Sequence, residues 1–315
     1  MRILFAGTPA LAVPSLRVAA LSHEVVGVLT APDRPTGRGR ATAAPPAAAA
    51  ASQLGLPLLQ PAVLDADALG RVRELAPDLL VVAAYGRIFR SAFLSIFPLG
   101  GINIHPSLLP LHRGPSPIPA AILGGDAETG VTVQRLALKF DTGDILAQSR
   151  HPLRGNETTA TLTDELAREG AELLAGVLAE MAAGRPPGPR AQRDELASYC
   201  RPLRKEDGLV DWSEPAVRIE RKVRAYDPWP RAATRLAGET LLVLKSHVHP
   251  GTLGFDPARG APGDVLAADT EHGLLIRTGD GILAVERLQL QFKKPLDWRS
   301  FVNGHPAILS VRLGA

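Results

Sequence analysis

Four short apolar runs near the start of the chain constrain its fold more than any other feature of the sequence. They are rich in β-branched residues and are separated by helix-length segments, and they cover residues Arg2–Gly7, Glu24–Thr30, Leu79–Tyr85 and Gly101–His105. Strands that alternate with helices along a chain pair in parallel and form one sheet. The sequence therefore predicts an open α/β domain in the first half of the chain.

The chain changes character after Gly184–Pro189, where the dense glycine and proline permit neither helix nor strand. Residues Thr159–Ala183, just before this break, have helical periodicity. Beyond it lie short strand-like runs, namely Thr240–His247, Gly263–Ala267, Leu274–Arg277 and Ile282–Leu288. Runs at this spacing are typical of a small β-barrel or sandwich.

A chain of 315 residues is long enough for two domains with separate cores. We place the first domain over residues 1–184, a linker over 185–200 and the second domain over 201–315. The second domain carries 17 Lys and Arg against 14 Asp and Glu, so the whole formal charge of +3 lies in it. This excess favours a polyanionic partner only weakly, because an ordinary solvated surface has a similar composition.

Several classes of site are excluded by the sequence. The single Cys200 leaves no intramolecular disulfide and no multi-cysteine metal site, which favours a reducing compartment. The turn Gly7-Thr8-Pro9 lacks the glycine spacing of a dinucleotide site, and the chain has no P-loop. His247 and His249 could share a metal ion, but the sequence offers no third ligand beside them. We therefore expect them to be a pair of surface residues. No apolar run reaches membrane-spanning length, so we expect a cytoplasmic protein without a membrane partner.

The densest cluster of chemically useful residues begins where the fourth run ends. Asn103 and His105 alternate along that strand, so both side chains leave the same face of the sheet. Ligands of open α/β sheets bind beyond the carboxyl ends of the strands. An amide donor beside an imidazole can stabilise a developing oxyanion, although a lone histidine after a strand is more often structural.

A turn between two later strand-like runs supplies candidate carboxylates. It contains Asp141 and Asp144 within the sequence Asp-Thr-Gly-Asp. Either carboxylate can reach the histidine, orient it and raise its pKa, and the spacing does not choose between them. The same four residues also suit a plain hairpin turn.

The two segments together resemble the signature of the formyltetrahydrofolate-dependent transferases and hydrolases. From Asn103 the chain reads Asn-Ile-His-x-Ser-Leu-Leu-Pro-x-x-Arg-Gly, and Asp-Thr-Gly-Asp follows from Asp141. The resemblance implies a Rossmann-like catalytic domain with a C-terminal OB-like β-barrel domain, and catalytic roles for Asn103, His105 and Asp141. The chain departs from the usual family pattern at Leu111-His112, Gly114–Pro117 and Lys139-Phe140, which flank the expected substrate cleft.

Segments outside this signature resemble the branch of the family that formylates charged initiator tRNA. The most discriminating segment is Pro-Asp-Arg-Pro-Thr-Gly-Arg-Gly from Pro32, which we expect to be a basic loop. The branch moves the formyl group of 10-formyltetrahydrofolate to the free amino group of methionyl-initiator-tRNA without a metal. The resemblance places the folate on Tyr85, Gly86, Arg87, Ile88, Phe89, Ser107, Leu108, Leu109, Pro110 and Asp144, and the tRNA on Arg34, Arg38 and Arg40.

Two other functions remain open on the sequence. A different enzyme of the same family, either a formyltetrahydrofolate hydrolase or a sugar-nucleotide formyltransferase, would share the signature, but the loop around Arg38 argues against both. A non-catalytic nucleic-acid-binding protein would explain the positive second domain and its β character. The joint presence of Asn103, His105 and Asp141 argues against that alternative. We expect the enzyme to be a monomer.

Overall fold

The computed structural model describes residues 1–36, 41–251 and 260–314. These residues fall into two compact units, the first made of Met1–Pro117, Ala127–Leu153 and Leu162–Arg201 and the second of Ile118–Asp126, Arg154–Thr161 and Pro202–Ala315. Residues 185–200, which were predicted to be a linker, lie in the first unit by their contacts. The predicted domain boundaries stay a prediction, because the contacts group segments that are not continuous in sequence.

The first unit is built on one mixed sheet. The strands in this part of the chain are β1 (Arg2–Gly7), β2 (Glu24–Leu29), β3 (Arg34–Thr36), β4 (Ala41–Ala43), β5 (Leu58–Leu59), β6 (Leu79–Ala83), β7 (Gly101–His105), β8 (Glu128–Arg135) and β9 (Ile145–Pro152). The helices are α1 (Val13–Ser22), α2 (Pro46–Gln53), α3 (Ala66–Glu74), α4 (Ser91–Leu94), α5 (Pro117–Gly124) and α6 (Thr159–Ala182). The sheet has the order β5-β2-β1-β6-β7-β8-β9.

The four apolar runs form β1, β2, β6 and β7, which pair in parallel and confirm the predicted α/β class. Ile3, Leu4 and Phe5 of β1 are fully buried, although neighbouring side chains of a strand point to opposite faces. Burial of one such side chain stabilises the fold by about 1.5–3 kcal/mol. A strand that is apolar at consecutive positions therefore belongs in the middle of a sheet covered on both faces. The hairpin of β8 and β9 then extends the sheet in antiparallel fashion.

An aromatic column follows the end of β6. The ring centroids of Tyr85 and Phe89 lie 5.3 Å apart, those of Phe89 and Phe93 4.8 Å, and those of Phe93 and Phe97 5.5 Å. The four rings are buried together with leucines of β1, β2 and β6. This packing fixes the backbone that emerges at the carboxyl end of β6, which is the edge where a ligand is expected.

The segment that was predicted to be a loop after β2 contains a short strand. β3 pairs with β4 in antiparallel fashion, with Arg34 opposite Ala43 and Thr36 opposite Ala41. The prediction of irregular structure was wrong for residues 34–36, which include a proline. A proline lacks the N–H that a central strand needs, but each strand of an isolated two-stranded ribbon has one unpaired edge that tolerates it.

The second unit is built on an antiparallel sheet, and by its contacts it also includes α5 apart from Pro117. Its strands are β10 (Ala232–Leu236), β11 (Glu239–Val248), β12 (Val265–Asp269), β13 (Gly273–Arg277), β14 (Ile282–Leu290) and β15 (Leu296–Asp297), and the helices in this part of the chain are α7 (Ala216–Ala225) and α8 (Trp298–Gly304). The sheet has the order β10-β11-β14-β13-β12, with β15 paired to β14. The four strand-like runs predicted for this half form β11 to β14.

The core of the second unit lies between this sheet and α7. Ile219 and Val223 are one turn apart on α7 and are both buried, as an amphipathic helix requires. Trp212 is buried beside them in the same cluster, and its indole N–H donates to Thr234 Oγ1 at 2.9 Å. Pairing of β10 with β12, which would close a barrel, is not among the strand pairs of the described residues. The OB-like barrel therefore stays a prediction.

Candidate active site

The end of β7 carries the two polar side chains that the sequence singled out. His105 is buried and Asn103 is half-buried. In the pairing of β7 with β8, Gln134 lies opposite Asn103, and Thr132 lies opposite His105. Since directly paired residues share a face of the sheet, these four side chains form a polar row at its carboxyl edge.

Both nitrogens of the His105 imidazole face an oxygen. Nε2 lies 3.0 Å from the carbonyl oxygen of His112. Because a carbonyl can only accept, Nε2 carries a hydrogen. Nδ1 faces Asp141 and lies 3.6 Å from its Oδ1. Nδ1 is therefore the nitrogen that gains or loses a proton when His105 titrates.

Burial and charge act on the pKa of His105 in opposite directions. Removal of the imidazole from water lowers this pKa and is the largest effect. The Asp141 carboxylate and the hydrogen bond to the His112 carbonyl both raise the pKa, but by less. The nearby His112 imidazole lowers the pKa further. The pKa of His105 is therefore below its ordinary value, and the imidazole is neutral at neutral pH. The Asp141 carboxylate raises this pKa, as predicted for an aspartate, but burial has the larger effect and sets the net direction.

Asp141 is fixed by three donors. Its Oδ2 accepts from the Gly114 N–H at 2.8 Å, and its Oδ1 accepts from Gln134 Nε2 at 2.9 Å and, more weakly, from Asn103 Nδ2 at 3.4 Å. The backbone of Asp141 has a φ of 52°. This left-handed conformation is unfavourable for most residues, and aspartate is one of the few that adopt it readily. The surrounding hydrogen bonds hold the carboxylate beside His105.

The other carboxylate of the same turn lies outside this cluster. Asp144 is exposed, and its carbonyl accepts from the Arg135 N–H at 2.8 Å. Of the two aspartates that the sequence left open, the structure brings Asp141 to His105. The catalytic assignment of Asp141 stays a prediction, supported by this proximity.

The glycine of Asp-Thr-Gly-Asp is required by close packing of the backbone. A Cβ on Gly143 would lie 1.8 Å from the Arg135 carbonyl oxygen. Real Cβ atoms do not approach a backbone atom so closely, so any larger residue would displace either the turn or β8. The turn that carries Asp141 therefore depends on Gly143.

We expect Gly143→Ala to destabilise the protein by about 1–3 kcal/mol, because the added methyl group overpacks this turn. The measurement is the free energy of unfolding in denaturant. Gly176→Ala is the matched control, since a Cβ at this position of α6 meets nothing within 4 Å. If Gly143→Ala and Gly176→Ala unfold at the same denaturant concentration, the turn adapts and the steric explanation fails.

The expected folate segment that follows β6 alternates between buried and accessible residues. The rings of Tyr85 and Phe89 are buried in the aromatic column, and burial raises the pKa of the Tyr85 phenol. Gly86 and Ile88 are exposed. Arg87 is half-buried, and its Nη1 donates to the Pro61 carbonyl at 3.0 Å. The accessible groups of this segment are therefore mainly its backbone and the Ile88 side chain.

The second expected folate segment, Ser107 to Pro110, is stabilised from within. Ser107 is buried and donates from its hydroxyl to the Leu111 carbonyl at 2.6 Å. Thr132 Oγ1 donates to the Ser107 carbonyl at 2.7 Å and accepts from the Leu109 N–H at 3.1 Å. Leu108 and Pro110 are half-buried. The polar groups of Ser107 and Leu109 thus support the loop.

Three side chains that the sequence did not assign also belong to this region, namely Arg113, Gln134 and Gln192. Arg113 is 1% exposed and Gln134 2% exposed. Arg113 was visible as the arginine of the signature. Gln134 gave no signal beyond a polar residue in a strand, and Gln192 lies in the segment that was predicted to be a linker.

The residues expected to contact tRNA are described only in part. Arg34 is exposed at the beginning of β3. Arg38 and Arg40 lie outside the described residues. The structure therefore places one of the three arginines and leaves the expected interface a prediction.

The described part of the chain offers no cluster of metal ligands. Its His, Cys, Asp and Glu side chains include no group of three that could hold a metal ion. In the second unit His272 packs against both His247 and His249, with ring centroids 5.7 and 4.7 Å apart. Among all the described residues, no helix has both the length and the apolar character that a membrane-spanning segment needs.

Comparison with known proteins gives matches along the whole chain. The family model described as "Formyl transferase" matches residues 1–178, and the one described as "Formyl transferase, C-terminal domain" matches residues 202–306. The chain is 44% identical over 317 residues to "Methionyl-tRNA formyltransferase" of Treponema denticola, covering 98% of each chain. It is 48% identical over 309 residues to the protein of the same name from Roseiflexus castenholzii, covering 96% of each.

Two solved structures share the fold at lower identity. HypX from Aquifex aeolicus in complex with tetrahydrofolic acid is 21% identical, with a TM-score of 0.64 over 98% of this chain, which spans 47% of HypX. An N-formyltransferase from Helicobacter canadensis, solved with folinic acid and dTDP-3-aminofucose, is 18% identical, with a TM-score of 0.67 over 90% of this chain and 99% of that one.

Proposed function

The chain belongs to the formyl transferase family, and on that premise we propose that it transfers the formyl group of 10-formyltetrahydrofolate to the free amino group of methionyl-initiator-tRNA. The observation that carries the proposal is the convergence of Asn103, His105 and Asp141 at the carboxyl end of β7. The tRNA substrate is supported by relatives named for methionyl-tRNA that match nearly the full length of the chain. The product serves the initiation of translation.

The donors at the end of β7 fit the charge that develops in formyl transfer. Attack of an uncharged amine on the formyl carbon puts negative charge on the formyl oxygen. The Asn103 amide supplies a neutral hydrogen bond to such an oxygen, and His105 supplies a second one once it is protonated. Preorganised donors of this kind act strongly in a site that is largely buried.

The lowered pKa of His105 indicates the order of proton transfer. A neutral imidazole with its hydrogen on Nε2 presents a free lone pair at Nδ1. Nδ1 can accept the proton that the attacking amine loses, directly or through a water molecule. The Asp141 carboxylate, 3.6 Å away, then stabilises the charged ring. The same proton can pass to the folate nitrogen that leaves, so the site ends in its starting state.

The accessible backbone at Gly86 and Ile88 fits the edge of a pterin ring. The two neighbouring rings, Tyr85 and Phe89, are buried and hold this backbone in place. Peptide N–H and C=O groups match the alternating donors and acceptors of a pterin. We propose that residues 85–89, residues 107–110 and Asp144 form the folate site.

The alternatives are separated by one set of assays. Purified enzyme is incubated with 10-formyltetrahydrofolate and, in parallel, with methionyl-tRNA, with an amino-sugar nucleotide, or with water alone. Formylation of methionyl-tRNA alone supports the proposal. Release of formate without an acceptor would identify a hydrolase, formylation of the sugar would identify a sugar-nucleotide enzyme, and absence of all three reactions would favour a nucleic-acid-binding protein.

We propose that Arg34, Arg38 and Arg40 contact the acceptor end of the tRNA, and this makes the interaction sensitive to salt. The log–log slope of tRNA affinity against salt should be about −0.9 for each duplex phosphate neutralised and about −0.7 for each single-stranded one. Arg38→Ala should reduce this slope and lower kcat/KM for tRNA while folate affinity stays unchanged. Arg71→Ala, an exposed arginine on α3, is the control. Equal kinetics with tRNA for Arg38→Ala and Arg71→Ala would show that the loop does not contact the tRNA.

We further propose that the enzyme acts as a monomer in the cytoplasm. The three proposed catalytic residues come from one chain and contact one another, so the site needs no residue from a second copy. Analytical ultracentrifugation at the concentration of the activity assay tests this, since a dimer at full activity would contradict it.

A further inference from the structure

The segment that follows the Gly-Pro break returns to the site and is tied there by its backbone. Arg190 and Ile145, the first residue of β9, exchange two backbone hydrogen bonds of 2.8 and 2.9 Å. At the other end of the segment, Arg113 donates its N–H to the Ser198 carbonyl at 2.9 Å and accepts from the Cys200 N–H at 2.8 Å. Residues 190–200 are thus fixed at both ends to the loop and the strand that flank Asp141.

Between these ties, the Gln192 amide bridges the turn of Asp141 and the guanidinium of Arg113. Its Nε2 donates to the carbonyl oxygens of Asp141 and Gly143 at 2.8 and 2.7 Å. Its Oε1 accepts from Arg113 Nε and Nη2 at 3.0 and 2.8 Å. The two carbonyls only accept and the guanidinium only donates, so just one orientation of the amide satisfies all four bonds.

Arg113 is a rigid anchor for this amide. Its side chain is 1% exposed, and it also donates to Tyr199 Oη at 2.9 Å and to Asp194 Oδ1 at 2.7 Å. A buried guanidinium remains charged and is costly to move away from its acceptors. Gln192 is therefore held at its oxygen by a fixed group and holds the Asp141 turn with its nitrogen.

The Asp141 turn needs such support. The residue adopts the left-handed conformation with a φ of 52°, which aspartate tolerates better than most residues but which still costs some free energy relative to the common backbone regions. A displacement of about 1 Å in a positioned catalytic group can cost about 10²-fold in rate. Gln192 contacts only the backbone of this turn, while Gln134, Gly114 and Asn103 contact its carboxylate.

We propose that Gln192 is a positioning residue for formyl transfer, which keeps the Asp141 carboxylate facing His105, and that Arg113 orients the Gln192 amide for this task. The inference rests on the proposed function and assigns a role to a side chain of the segment between the two matched family regions. Gln192 acts through Asp141, so its loss should affect the chemical step more than the binding of either substrate.

The first test is kinetic and uses Gln192→Met. This substitution keeps the length of the side chain and removes the amide N–H groups that donate to the carbonyls of Asp141 and Gly143. We expect kcat to fall about 10²-fold with little change in KM for folate or tRNA. The matched control is Glu195→Gln, because Glu195 is exposed in the same segment and forms an ion pair with the exposed Arg193. A Gln192→Met enzyme with the kcat of the control, or with a loss confined to KM, would overturn the proposal.

The second test follows the imidazole of His105 by NMR titration and needs no formyl transfer. Its signal is identified as the one missing from His105→Ala. Asp141 and His112 are the titratable groups that act on His105. If Asp141 moves away in Gln192→Met, its attraction is lost while burial remains, so the pKa of His105 should fall further. An unchanged titration would overturn the positioning role even in a protein that proves to have another activity.

A variant that does not fold would be recognised by its thermal unfolding curve. In that case Gln192→Asn replaces it, since this residue keeps the amide and shortens its reach by one methylene. The same downward shift of the His105 titration is expected, and a titration equal to that of Glu195→Gln would overturn the proposal.

Discussion

His105→Ala and Asp141→Ala are each expected to reduce kcat for formyl transfer about 10²–10⁴-fold, and the double variant is expected to lose far less than the product of the two losses. Nδ1 of His105 is the titrating nitrogen, and the Asp141 carboxylate is the acidic group 3.6 Å from it. The carboxylate acts on the reaction through the charge of the imidazole. Once the imidazole is gone, most of the benefit of the carboxylate is lost as well.

The measurement is steady-state formylation of methionyl-tRNA at saturating folate for the two single variants and the double variant. Asp144→Ala is the control within the same turn, because Asp144 is exposed and its loss should be milder. Losses that multiply would show that His105 and Asp141 act independently. A larger loss at Asp144 than at Asp141 would reverse the assignment of the two carboxylates.

The parts of the structure that were predictable depend on local sequence pattern. The strands β1, β2, β6 and β7 follow from short apolar runs rich in β-branched residues, which fit strands that are buried on both faces. Asn103 and His105 could be placed on one face because the period of a strand is two residues. The family resemblance, rather than spacing, distinguished Asp141 from Asp144.

The pKa of His105 was not predictable, because it is a balance of two tertiary effects. The aspartate was visible in the sequence, and its charge does raise the pKa. The burial that outweighs it arises from the tertiary packing around the ring, since His105 is only 4% exposed. The balance leaves the imidazole of His105 neutral, so that it can act as a base.

The contribution of Gln192 was hidden for a related reason. Glycine and proline after α6 indicate an end of regular structure, which was interpreted as a linker between domains. Irregular backbone can still be fixed when it pairs with neighbouring segments, as residues 190–200 do through Arg113 and Ile145. Absence of helix or strand therefore did not mean absence of a role at the site.

Asn103→Ala is expected to raise the activation barrier by about 3–4 kcal/mol while folate binding stays unchanged, because it removes one donor to the developing oxyanion. The measurements are kcat with methionyl-tRNA and the equilibrium affinity for folate. The hydrogen bond from Asn103 Nδ2 to the Asp141 carboxylate is long, at 3.4 Å. Gln134 and Gly114 therefore still hold that carboxylate in the variant. The loss should therefore reflect the missing donor.

Gln134→Ala is the matched control for this prediction, because it removes another amide that contacts the same carboxylate oxygen from the paired position on β8. If Asn103 served only to hold Asp141, both variants would shift the titration of His105 and lose similar activity. If Asn103 is an oxyanion donor, Asn103→Ala should lose more kcat than Gln134→Ala and should shift the His105 titration less. Turnover near that of the wild type in Asn103→Ala would leave Asn103 as a residue with only a structural role in β7.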